Sequence, residues 1–149
     1  MALLLAALLP FAAPAHAGCA ISTSGVNFGA YDPRSASPRD GAGTVAFRCS
    51  GEIEDGGPGG GNKTIEISAG NSGGFANRRM QSGAGGLDYN LYTTPTRTSV
   101  WGDGRNGTDS VKVHPHAQSV SVTVYGRIPA GQNVRAGTYT DTLIVSIEF

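Results

Sequence analysis

Five runs of this chain alternate apolar and polar residues with a period of two, and after residue 17 no stretch of ten or more carries helical periodicity. In the first run Val45, Phe47 and Cys49 fall on one face, with Thr44, Arg48 and Ser50 on the other. Ile65, Ile67 and Ala69 alternate with Thr64, Glu66 and Ser68, and Leu87, Tyr89 and Leu91 with Asp88, Asn90 and Tyr92. Val120, Val122 and Val124 alternate with Ser121, Thr123 and Tyr125. The chain ends on Leu143, Val145, Ile147 and Phe149, set between Thr142, Ile144, Ser146 and Glu148. Successive side chains of a strand point to opposite faces, so each run predicts a strand with one buried face. The β-branched and aromatic residues in them suit a pleated, half-buried surface.

Turn chemistry separates the runs. Glycine-rich connections lie at residues 56–61 and 83–86, and Asp103-Gly104 and Asn106-Gly107 suit tight turns in which glycine accepts positive φ at no steric cost. Pro129-Ala130-Gly131 and Ala136-Gly137 punctuate the last two strands. Short alternating strands joined by turns predict an all-β, antiparallel β-sandwich. At 149 residues, one domain is the natural expectation. The 11 basic residues balance 11 acidic ones, which argues against a nucleic-acid partner, since phosphate binding needs an excess of Lys and Arg on one face. Glycine fills 23 positions, and the polar faces carry Ser, Thr and Asn more than charge, a composition suited to life outside the cell.

Residues 1–17 read MALLLAALLPFAAPAHA, uncharged and interrupted by Pro10 and Pro14. A membrane-spanning helix needs about 20 apolar residues, so stable insertion is not expected. Ala15-His16-Ala17 fits the small-x-small pattern of a signal-peptide cleavage site, and the rest of the chain, residues 18–149, is the expected mature domain. The basic region that usually opens such a leader is missing, which leaves room for a start upstream of Met1. Secretion is therefore expected. Two cysteines in an exported chain, Cys19 and Cys49, predict a disulfide rather than a metal site.

The motifs that suggest chemistry lack the context it needs. Gly70-Asn71-Ser72-Gly73-Gly74 matches a nucleophile elbow, but no helix follows and the chain is too short for that fold. Gly61-Asn62-Lys63-Thr64 approaches the end of a P-loop without its last glycine or a parallel βαβ setting. His114 and His116 have no third ligand at a suitable spacing, and the pattern around Asp103 and Asp109 fails as a calcium loop at Arg105. No catalytic constellation, cofactor site or metal site emerges. Trp101 reads first as a plug for the end of the sandwich. Trp101, Tyr92 and Tyr31 are also the candidates for a surface-binding platform, should they be exposed.

A longer pattern runs through the chain in order. Gly25-Val26-Asn27-Phe28-Gly29-Ala30-Tyr31-Asp32-Pro33 follows Cys19, and Cys49-Ser50 closes the next strand. Arg79-Met80 precedes Leu87-Asp88-Tyr89-Asn90-Leu91-Tyr92-Thr93, followed by Val100-Trp101-Gly102-Asp103-Gly104. Val124-Tyr125-Gly126-Arg127-Ile128-Pro129 and Gly137-Thr138-Tyr139-Thr140-Asp141-Thr142 lead into the final run. This pattern resembles the spore coat protein U domain family, which includes subunits of archaic chaperone–usher pili. The resemblance implies an immunoglobulin-like sandwich lacking its last strand, completed first by a periplasmic chaperone and then by a neighbouring subunit after passage through an outer-membrane usher. It implies a structural subunit of a fibre or coat rather than an enzyme. Leu143, Val145, Ile147 and Phe149 are then expected to line the acceptor groove and meet the chaperone. Cleavage after Ala17 leaves Gly18 alone ahead of Cys19, so a terminal subunit that accepts a strand is expected. The alternative is a tip adhesin or lectin-like binding module.

Overall fold

The computed structural model describes residues 18–50, 61–113 and 119–148. The leader at 1–17, most of the glycine run at 56–61, the His114-Pro115-His116 loop and Phe149 lie outside the described residues. Among the described residues are eight strands: β1 (Gly18–Asn27), β2 (Arg39–Ser50), β3 (Lys63–Ile67), β4 (Arg78–Ser82), β5 (Gly85–Tyr92), β6 (Val111–Val113), β7 (Ser119–Ile128) and β8 (Val145–Glu148). One short 3₁₀ turn at Gly70–Ser72 takes up the Gly-x-Ser-x-Gly stretch, where Ser72 Oγ donates to Ala69 O at 3.0 Å. The strands form two sheets, ordered β1-β2-β7-β5-β4 and β6-β3-β8, and all the ladders are antiparallel. This is the all-β, two-sheet architecture that the alternation predicts.

The core sits between the sheets and is built from the inward members of the alternating runs. Val45, Phe47, Cys49, Leu87, Tyr89, Leu91 and Val124 face it from the larger sheet, Ile65 and Ile67 from the smaller. Trp101, from the loop after β5, is fully buried; its Nε1 donates to Ile65 O at 3.0 Å and its amide to Leu91 O at 2.9 Å. One residue thus bonds to a strand of each sheet, through its indole to one and its main chain to the other, and its ring plugs the space between them. Cys19 and Cys49 are joined by a disulfide that ties β1 to β2.

β1, β4 and β6 are strands that periodicity did not reveal. β1 is informative: Ile21 lies opposite Phe47 and Thr23 opposite Val45, so both point toward the core side. Yet Ile21 is 47% exposed whereas Phe47 is 3% exposed. Among the described residues nothing covers Ile21 and Thr23 on this face of β1, and a stretch without a cover needs no apolar alternation.

Beyond Ser24 the β1–β2 register shifts, and the chain turns in over the sheet. Three glycines make room for it. A Cβ on Gly43 would meet Ser24 O at 2.6 Å, and one on Gly41 would meet Asn27 O at 2.8 Å. A Cβ on Gly126, which pairs with Gly41, would lie 2.7 Å from the Phe28 ring and 2.8 Å from Val26 Cγ1. Val26 and Phe28 therefore seat directly on backbone, and Phe28 meets the Tyr89 ring edge-on at 5.8 Å. Gly126→Ala should cost about 1–3 kcal/mol through overpacking, read as a lower urea midpoint at unchanged slope.

Candidate strand-acceptor groove

The two sheets do not close on one side. β1 has a ladder only to β2, and β8 only to β3, so among the described residues each presents an open edge. Between them runs a groove. Its inner part, about 300 Å³, is walled by Thr23–Val26 of β1 on one side and by Tyr139, Thr140, Asp141, Leu143 and Val145 on the other. Val45, Ile67, Met80, Leu91 and Val124 also line it, so its floor is the hydrophobic core itself. A second cavity, of about 970 Å³, shares Gly25, Val26, Phe28, Met80, Tyr139 and Thr140 with the first and continues the groove past Tyr31 and Ala136.

The wall formed by the last segment crosses from one sheet to the other. Thr140 pairs with Gln81 of β4 through two backbone hydrogen bonds of 2.8 and 3.1 Å. Four residues on, Ser68 N donates to Ile144 O at 2.9 Å and Ile144 N to Ser68 Oγ at 2.9 Å, and β8 then joins β3. Asp141 holds the crossing. Its Oδ1 accepts from the amides of Asn71 (3.0 Å) and Thr142 (2.9 Å), and its Oδ2 accepts from the Tyr89 hydroxyl at 2.8 Å. Burial, together with the hydrogen bond to Asp141, pushes the Tyr89 phenol far above its usual range, so it stays a donor.

Opposite Tyr89 across the β4–β5 ladder is Arg78, fully buried. Its guanidinium donates to Ser68 O (2.9 Å), Ile67 O (3.2 Å), Trp101 O (2.6 Å) and Asn90 Oδ1 (2.7 Å), and lies over the Phe75 ring at 5.2 Å. Burial lowers its pKa, while Tyr89 and Asp141 pull it partly back. Arg78 therefore fastens β3, the Trp101 loop and β5 together beneath the groove.

Of the residues expected at the groove, Leu143 and Val145 line the inner cavity; Ile147 is half-buried against the core, paired with Ile65. Ile144 points the other way and is 68% exposed. Trp101 requires correction as a surface-binding candidate: with no exposed area and its indole N–H engaged, it offers no platform. Tyr31 is half-buried, with its hydroxyl donating to Pro129 O at 2.9 Å and accepting from Gln132 N at 2.8 Å. Tyr92 is half-buried opposite Tyr125. Asp103 braces its own loop, accepting from the Arg105 amide (3.0 Å) and Thr108 Oγ1 (3.1 Å); the first of these bonds chiefly holds its carboxyl below the usual range. Among the described residues no three His, Cys, Asp or Glu side chains gather to hold a metal ion. Sequence reasoning missed Arg78, Asp141 and the three-glycine seat. The available signal for Asp141 was its place in the inward phase of the last segment, two residues before Leu143.

Two packed antiparallel sheets, with one side open among the described residues, make an immunoglobulin-like sandwich. The chain matches the profile of the Spore Coat Protein U domain over residues 5–146, and it belongs to that family. It is 36% identical over 134 residues to "Protein U" of Myxococcus xanthus, an alignment spanning 83% of this chain and 71% of that protein. Its fold is similar to a chain in the crystal structure of a chaperone–tip adhesion subunit pre-assembly complex from the archaic chaperone-usher Csu pili of Acinetobacter baumannii. There the TM-score is 0.58 at 23% identity, covering 89% of this chain and 40% of that one.

Proposed function

We propose that this chain is an exported structural subunit of a surface fibre or coat, and that its groove accepts a β-strand from a partner protein. The observation that carries this reading is the pair of open edges, β1 and β8, flanking a groove floored by core side chains. A strand laid there would gain main-chain hydrogen bonds from both edges and place alternate side chains onto Val45, Met80 and Leu91. It would also cover Ile21 and join the two sheets. A periplasmic chaperone supplies that strand first and a neighbouring subunit replaces it, after delivery through an outer-membrane usher. Family membership and the chaperone-bound origin of the similar structure support this order. The groove, not a reactive side chain, is the working part, so the role is one of assembly rather than catalysis.

The expected cleavage site bears on the position in the fibre. With cleavage after Ala17, Gly18 alone would precede Cys19, which favours a terminal, strand-accepting place; N-terminal sequencing that found an extended segment there would overturn it. The reading as a whole is tested by expressing the chain with its leader in a bacterial periplasm without a chaperone. Degradation or aggregation is expected, reversed by the cognate chaperone or by a donor-strand peptide. A protease-resistant, cooperatively unfolding monomer would overturn it.

A further inference from the structure

The inward row of the groove wall reads Tyr139, Asp141, Leu143, Val145, Ile147, each half-buried, between exposed neighbours at 138, 140, 142, 144, 146 and 148. Asp141 is out of character in this row. It is the only carboxylate among the described residues that line either cavity. An ionised carboxylate offers about four lone-pair sites, and Asn71, Thr142 and Tyr89 occupy three. Asp141 lines the cavity and is only half-buried, so solvent still reaches this residue while the groove is open. A docked strand removes that solvent, and covering an anion with apolar side chains costs free energy unless a donor replaces the water.

Charge is not what is lacking. Arg78, buried opposite Tyr89, already lies close enough to Asp141 for the two charges to feel each other. A second cation would leave the site with a net positive charge in a dry interior, whereas a neutral donor completes the hydrogen bonding alone.

We propose that the strand this groove accepts carries a hydroxyl, from serine or threonine, at the one inward position that meets Asp141, in an otherwise apolar row. The inference rests on the strand-acceptor reading above, and the occupant is the chaperone strand named there. Asp141 then fixes register: a strand slipped by two residues would bury its hydroxyl against Leu143 and leave the carboxylate covered by a methyl group.

Threonine and valine have nearly the same shape, which makes the test direct. The probe is a synthetic peptide long enough to span Tyr139 to Ile147, with valine at every inward position, and a set of variants with each valine replaced in turn by threonine. Affinity is measured on the full exported chain with its disulfide intact. At one position threonine should bind about 3- to 10-fold tighter than valine, and at every other position more weakly. Asp141→Val should abolish that preference; should this variant not fold, the scan on the unaltered chain decides alone. Threonine weakening binding at all positions would overturn the proposal while leaving the groove intact. Failure of the all-valine parent and every variant to bind would instead overturn the strand-acceptor reading, and the proposal with it.

Discussion

Replacing Arg78 with methionine is expected to destabilise the domain by about 3–5 kcal/mol, a large part of the ~5–15 kcal/mol that holds a domain folded. Methionine fills much of the same volume and removes a buried charge, and swaps of buried ions for apolar residues are sometimes neutral. Here they should not be, because the guanidinium satisfies four separate acceptors: the carbonyls of Ile67, Ser68 and Trp101 and the side chain of Asn90. Three of these are main-chain groups that cannot be mutated away with it. Arg78→Lys should recover little, since a single ammonium cannot reproduce a planar fork aimed in several directions. Urea unfolding of the disulfide-bonded chain, measured with its complementing strand bound, separates the outcomes. A loss below about 1 kcal/mol for Arg78→Met would mean that the acceptors find other donors.

Removing the disulfide, as Cys19→Ala with Cys49→Ala, should cost about 3–4 kcal/mol on the chain-entropy account of a 30-residue separation. The loss should be local before it is global. Residues 20–25 are exposed, so β1 is kept in place by its ladder to β2, by the Cys19–Cys49 bond at one end and by Val26 and Phe28 on their glycine seat at the other. Without the bond, β1 should show amide exchange and protease cleavage well before β2 and β7. Because β1 forms one wall of the groove, strand uptake should weaken in parallel. Equal protection of β1 and β2 in the double variant would show that the ladder alone suffices.

These two devices explain how a sandwich with an open side keeps its shape. Trp101, Arg78 and the Tyr89–Asp141 bond secure the floor and one wall, while the disulfide and the glycine seat secure the other. On the proposed reading, the open side is then a fixed shape for an incoming strand rather than a loose edge.

Which side chains share a face was legible from the alternation alone. Val45, Phe47, Leu87, Tyr89, Leu91 and Val124 are buried where period-two alternation placed them, because strand geometry converts parity in sequence directly into side of the sheet. The pairing of Cys19 with Cys49 and the turns at Asp103-Gly104 and Asn106-Gly107 were equally legible; φ is +71° at Gly104, +51° at Asn106 and +84° at Gly107. Which faces lack a cover is set by long-range packing. Periodicity did not reveal β1, and it read the end of the chain as an ordinary strand that only the family resemblance pointed toward a groove; that the two border one groove depends on bringing together residues more than a hundred positions apart. The roles of Arg78 and Asp141 were hidden for the same reason. A charged residue in an inward phase reads as an error until its partners are brought around it: for Arg78 the carbonyls of Ile67, Ser68 and Trp101, for Asp141 the amides of Asn71 and Thr142. Backbone acceptors leave no mark in the sequence.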